Sequence, residues 1–364
     1  MKILCVIDSL GSGGAQRQLV NLAIAFKGKG HDVSFLVYHS IPFYYEILEE
    51  QEISVIEVLE SSYAKRFWKM RKVIRSGDYD SVLAFLQAAS FICEISSFPS
   101  RKWRLVVGER SANPAILKSF KLKFFRCFHV FADAVVANSH ENIKLVKKVN
   151  PLLPNEKLHV IYNLIDFEKW QPKPGNYVFK KDGKFNLIVV ASHQYLKNLN
   201  GLVEAVNLLN SEEKDQLVVN WYGGERLDNS KHEALEKIEK YKLTKVFNFH
   251  DPTIDIAAKV NEADALGLFS FYEGLPNVIC EAMVNSKPVI SSDVSDVNLL
   301  IDDVLTFCPD DTKRLSRIVK HLLESSESDL ESYGNENRAR AVELFESKSI
   351  IEKYLEIFNK AKGA

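Results

Sequence analysis

The feature that most constrains this chain is an alternation that runs through it twice. KILCVID (2–8) is an apolar run of strand length closed by glycines, GAQRQLVNLAIAFKGKGH (14–31) carries its apolar residues at helical spacing, and HDVSFLVY (31–38) reads as a second strand. A strand that is apolar at nearly every position must be covered on both faces, as happens when parallel neighbours are joined by crossover helices. SVLAFL, RLVVGE, AVVANS and KLHVIYN continue the series as short strands separated by helix-length segments. The expected architecture is a parallel sheet wrapped by helices.

The pattern then restarts. After QPKPGNYVFKKDGK (171–184), whose Pro, Gly and Lys mark an exposed connection, come FNLIVVAS, a helix over about 200–209, LVVNWYGG, KVFNFHD, ALGLFSF and KPVISSD. A length of 364 residues exceeds what one core supports, so two domains follow, 1–172 and 173–344. The fold class expected is α/β, two doubly wound Rossmann-like domains facing across a cleft, with ligands at the carboxyl ends of the strands.

Composition removes several classes of function. The apolar fraction of 46% and charged fraction of 26% are those of a globular chain. The five cysteines (5, 93, 127, 280, 308) show no zinc or redox spacing and read as reduced, mostly core residues. MKILCVIDSLG lacks the cleavage site and apolar length of a signal peptide, and the most apolar stretch, 124–137, is broken by Arg126, His129 and Asp133. A cytoplasmic location is expected. The net charge of -1 conceals one basic region, 101–148, with eleven Lys and Arg against Glu109, Asp133 and Glu141. A confined basic face with no recognised binding motif argues against a nucleic-acid partner.

The segment SFYEGLPNVICEAMVNSKPVISSD carries the chemistry. Glu273 follows the strand ALGLFSF, Pro276 suits the first turn of a helix, and Glu281 falls two turns into it, so both carboxylates are expected to line the cleft. The amides of residues 274–277 form a helix start, which attracts anions. Carboxylates for hydroxyl groups beside an anion site suit a nucleotide sugar.

This stretch resembles the E-x7-E signature of the family 4 retaining glycosyltransferases of GT-B fold. GSGGAQRQLVNLA is similar to the family's N-terminal glycine loop and helix, VIYNLIDFEKW to its interdomain segment, VVASHQYLKNLNGLVEAV to its Lys-Asn loop, and NFHDPTIDIAAKVNEADALGLFSF to the strand before the signature. The resemblance covers almost the whole chain. It implies that Lys197 neutralises the donor diphosphate, that Glu281 binds the ribose, and that Glu273 binds the donor sugar with help from the Gly274 and Leu275 amides, beside Pro276 and Asn277. It places the base near His250 and Asp251, and brings the Gly13 and Gly14 backbone close to sugar diphosphate and acceptor. It implies front-face transfer with retention, the departing phosphate helping to deprotonate the acceptor. No Asp-x-Asp metal motif stands in a suitable loop, so no metal or other cofactor is expected. The resemblance also implies that the last segment, 345–364, crosses back to the first domain.

The chain departs from the family in two places. The family pairs its lysine with a Gly-Arg that here reads Ala191-Ser192, so a cation is missing and a basic residue elsewhere, with His193 nearest, or Lys197 and the helix start alone must serve. Where many relatives have a histidine after RLVVGE, this chain has Glu109 and Arg110. Glu109 is read as a catalytic sugar or acceptor contact, or else as the partner in an ion pair with Arg110 or a neighbour.

The segment 118–131, KSFKLKFFRCFHVF, interleaves cations with aromatics. It fits an interfacial helix on the anionic inner face of a cell membrane, or a crossover helix with snorkelling lysines. The expected activity is transfer of a hexose or N-acetylhexosamine from a UDP-sugar to a glycan or lipid-linked acceptor in bacterial polysaccharide or glycoconjugate synthesis. Two rivals stand beside it: a catalytically silent sugar-binding or partner subunit, which the loss at Ser192 favours, and a sugar-nucleotide epimerase.

Overall fold

A computed structural model of the chain describes residues 1–173, 179–226 and 228–360. Contacts divide the chain into two compact units, one of residues 1–164 together with the stretch from Ser347 onward, the other Ile165–Glu346. The break falls after Leu164, ahead of the expected 172. Trp170 is buried in the second unit, where Asn285 Nδ2 donates to its carbonyl at 2.9 Å, so the chain joins that unit before the Pro- and Gly-rich stretch begins. Part of that stretch, 174–178, lies outside the described residues, as do the last four residues of the expected crossing segment.

The first unit holds a seven-stranded sheet of β1 (Lys2–Val6), β2 (Asp32–Val37), β3 (Ser54–Glu57), β4 (Ser81–Phe85), β5 (Arg104–Glu109), β6 (Ala134–Ala137) and β7 (Leu158–Val160). Its order is β3-β2-β1-β4-β5-β6-β7, and every pair is parallel. The order reverses between β1 and β4, the place where a doubly wound sheet opens a crevice. One face is packed by Phe26, Phe35 and Phe85, the other by Met70, Trp103 and Val107. The helix Ser347–Asn359 belongs to the first of these faces. Its Tyr354 and Phe358 rings lie 6.1 and 5.5 Å from Phe26, edge-on.

The second unit holds six parallel strands, β8 (Phe185–Val190), β9 (Leu217–Tyr222), β10 (Phe247–His250), β11 (Ala265–Leu268), β12 (Val289–Ser292) and β13 (Thr306–Phe307). The order is β10-β9-β8-β11-β12-β13, with the reversal between β8 and β11. One core cluster built on Phe185, Trp221 and Phe269 fills it. Two strands escape sequence reading. β3 is a half-exposed edge strand with no apolar run, and β13 is two residues long. Among the described residues no helix is long and apolar enough to cross a membrane.

Candidate functional site

The strand order of the second unit reverses between β8 and β11, and the loops after those strands are tied together. Phe271 N donates to Leu196 O at 2.9 Å, and the Tyr195 and Phe271 rings stack at 5.0 Å. The β8 loop ends on Asn198, which takes a left-handed conformation (φ 55°) that Asn tolerates. Its Oδ1 then accepts from Gly201 N at 3.1 Å, capping the helix Leu199–Asn207. That turn fixes where Lys197 points. Lys197 Nζ lies 2.5 Å from Glu273 Oε1, and Ser270 Oγ donates to the same oxygen at 2.7 Å. The two ion-paired side chains are 18% and 16% exposed, open enough to meet a ligand yet shielded enough for the charges to matter.

Beyond Glu273 the chain turns into the helix Asn277–Val284, with Pro276 as its N-cap residue and Leu275 buried. The Gly274 carbonyl accepts from Ser295 Oγ, and a helix start such as this one carries a positive potential. Glu281 is buried on this helix. The loops after β8 and β11 thus gather Lys197, Ser192 and Glu273 through Glu281 at one end of one sheet.

His250 ends the strand β10. Its ring stacks on Tyr222 at 4.4 Å and its Nε2 lies 2.8 Å from Asn220 Oδ1, so it is engaged with β9. Pro252 and Thr253 are among the walls of the neighbouring pocket, while Asp251 is exposed between them and the strand. His193 is poorly placed to carry a charge. It is buried and stacked on Trp221, and burial, then the charge of Lys231, push its pKa down.

In the first unit Gly13 is the N-cap of the helix Gly14–Gly28, at the carboxyl end of β1. Its φ of -72° is open to any residue, but a Cβ there would fall 2.2 Å from Gln16 Oε1. Gln16 Nε2 donates to Asp8 Oδ1 at 3.0 Å, so the glycine leaves room for the contact that shapes this loop.

Of the two readings of Glu109, the structure shows it as a buried ion-pair partner. Arg126 Nη2 donates to its Oε2 at 2.7 Å, and His129 Nε2 sits 3.0 Å from its Oε1. His129 Nδ1 in turn lies 2.7 Å from Glu94 Oε1. Burial opposes charge on His129, but the two carboxylates overcome it and push its pKa up to about 9. Burial likewise raises Glu109, and its His129 and Arg126 contacts more than offset this, holding it below the usual carboxylate range. The expected partner Arg110 is elsewhere, donating to Asn163 Oδ1 at 3.1 Å and Tyr354 OH at 2.5 Å, its guanidinium 3.9 Å above the Phe85 ring. Sequence reasoning missed this network. Arg126 and His129 sit inside the basic, aromatic segment, and nothing local tells an inward cation from an outward one.

The helix Phe120–Cys127 has two sides accordingly. Arg126 is buried, whereas Phe120 and Phe124 are 83% and 44% exposed beside exposed Lys121 and Lys123. Among the described residues no group of three or more His, Cys, Asp or Glu could hold a metal ion.

Two family models match, Glycosyltransferase Family 4 over residues 12–169 and Glycosyl transferases group 1 over 184–325. With two doubly wound sheets and this Lys–Glu site, they define the protein as a glycosyltransferase of GT-B fold. The chain belongs to family 4 of these enzymes. It is 28% identical, over the whole of both chains, to the GalNAc-alpha-(1->4)-GalNAc-alpha-(1->3)-diNAcBac-PP-undecaprenol alpha-1,4-N-acetyl-D-galactosaminyltransferase of Campylobacter jejuni. It is 24% identical to the amylovoran biosynthesis glycosyltransferase AmsD of Erwinia amylovora, over 80% of this chain and 81% of that one. Among solved structures, Anabaena Alr3699/HepE in complex with UDP matches with a TM-score of 0.86 over 99% of this chain and 100% of that one, at 19% identity.

Proposed function

We propose that this enzyme transfers a hexose or N-acetylhexosamine, with retention, from a UDP-sugar to a lipid-linked glycan in bacterial glycoconjugate synthesis. The observation that carries the reading is the Lys197–Glu273 pair at the β8/β11 reversal, beside the start of the helix Asn277–Val284. Lys197 and the helix amides supply positive potential for a departing diphosphate, Glu273 accepts hydrogen bonds from donor sugar hydroxyls, and Glu281 from the ribose. The acceptor named for the Campylobacter relative and the UDP bound by the Anabaena protein support the choice of acceptor and donor. In this reading the protein supplies the stabilising charge without a metal ion, so EDTA leaves turnover unchanged.

The exposed face of the helix Phe120–Cys127, two phenylalanines flanked by lysines, supports peripheral docking on an anionic bilayer, on the cytoplasmic side where lipid-linked acceptors would be met. The test is UDP release from UDP-sugars with an undecaprenyl diphosphate glycan, with anomeric configuration read by NMR. Turnover abolished by Glu273→Ala supports the reading. UDP-sugar binding with no turnover on any acceptor returns the silent-subunit alternative, and an inverted product overturns retention.

A further inference from the structure

We propose that Arg226 is the second cation for the donor's phosphates, a donor-binding residue at a position no spacing argument reaches. The inference rests on the donor reading above. A nucleoside diphosphate brings at least two negative charges, and the groups nearest to hand fall short of them. Lys197 already faces Glu273 at 2.5 Å, Ser192 carries no charge and its Oγ accepts from Gln194 Nε2 at 2.9 Å, and His193 is buried with its pKa lowered.

Arg226 lies on the loop after β9, and that loop is laced to the one that carries Ser192 and Lys197. His193 N donates to Gly224 O at 2.9 Å, Arg226 N donates to His193 O at 3.2 Å, and Tyr195 N donates to Asp228 Oδ2 at 2.9 Å. Gly223 makes the approach possible, since a Cβ there would fall 1.8 Å from the Ala191 carbonyl oxygen. Between these loops and the one after β10 lies a pocket of about 510 Å³, with Ser192, Tyr222, Arg226 and Thr253 among its walls. That volume falls in the range of small-molecule sites.

The neighbouring acids are committed to other partners. Glu225 pairs with Lys231 at 2.6 Å, and Asp228 accepts from Ser230 Oγ at 2.6 Å as well as from Tyr195 N. Among the described residues the exposed guanidinium of Arg226 has no hydrogen-bond or ion-pair partner. An unpaired arginine fork at a pocket mouth matches phosphate oxygens in charge and in its planar donor geometry.

The experiment measures binding of UDP, UMP and uridine to the full chain and to Arg226→Ala and Arg226→Lys, by calorimetry for the nucleotides and ligand-observed NMR for uridine. The alanine variant is expected to lose about 10- to 100-fold in UDP affinity, the range of one charge-assisted contact, with uridine binding unchanged and the lysine variant recovering part of the loss. Equal losses for UDP and uridine, or no loss for UDP, overturn the assignment and leave the donor reading standing. A wild-type chain that binds neither UDP nor any other nucleoside diphosphate overturns the donor reading and this assignment with it.

Discussion

Lys197 and Glu273, 76 residues apart in sequence, meet at 2.5 Å at the carboxyl end of the second sheet. Each holds the other in place before any ligand arrives, so in the proposed reaction the charge offered to a departing phosphate would already be oriented. Lys197→Ala and Glu273→Gln are each expected to lower kcat by about 10²- to 10³-fold, the usual consequence of removing one preorganised transition-state contact. Circular dichroism should stay unchanged. A steady-state UDP-release assay reads the rates, and a variant with near wild-type turnover would remove that residue from the chemistry.

Glu281 is expected to act on binding more than on rate. It is buried on the helix that follows Glu273, and in the proposed reaction its ribose contact would be the same in ground and transition states. Glu281→Gln should raise the KM for the donor by about tenfold while kcat changes little, the effect of weakening one charged hydrogen bond. A drop confined to kcat would contradict a ribose role.

His129 should give the first unit a pH-dependent stability. Its pKa rises from 6.5 to about 9 on folding, so its stabilising contribution is complete below about pH 6.5 and is lost as pH climbs through about 9. Linkage puts the total on the order of 3 kcal/mol. Lys287 runs the other way. Burial pulls it from 10.5 to about 8, so its cost is full below that value and is relieved as pH rises toward 10.5. Denaturant titrations from pH 6 to 9 on wild type and His129→Gln separate the two, since only the first slope disappears in the variant. Parallel curves would show that His129 is not charged in the folded protein.

Gly223→Ala should destabilise the second unit by about 1 to 3 kcal/mol, as overpacking does, because its Cβ meets a backbone oxygen that cannot swing aside. Thermal melts check this. If the loops after β8 and β9 shape the donor pocket together, UDP affinity falls with it.

Membrane docking predicts a salt-sensitive loss of binding. Replacing Lys118, Lys121 and Lys123 by Glu should cut partitioning onto phosphatidylglycerol vesicles by about two orders of magnitude or more, at roughly 1 kcal/mol per lysine. Binding to neutral vesicles should be weak for both proteins. Cosedimentation of the two forms at low and high salt decides the matter.

Most of the fold is legible in the sequence because buried parallel strands and their crossover helices leave strong local periodicities. Strands β1, β2, β4 to β6, β8, β9 and β11 are near-continuous apolar runs, whereas β3 and β13 carry no such run and pass unnoticed. The E-x7-E segment is legible for the same reason, as the strand, the turn and the helix start with Pro276 are each locally encoded.

Local patterning alone was enough to read two doubly wound α/β units, the resemblance to the family, and the positions of Lys197 and Glu273 in loops and of Glu281 on the following helix. Which charges face one another was settled by the folding of distant segments together. That folding paired Glu109 with Arg126 and His129, stacked His250 on Tyr222, buried His193 against Trp221, and left the Arg226 guanidinium at the pocket beside Ser192 with no hydrogen-bond or ion-pair partner among the described residues. Periodicity reports which face of an element is covered, and that depends on neighbours a few residues away. Charge pairing depends on loops from distant strands converging at the end of a sheet, and their separation is set by the strand order, which no local pattern encodes.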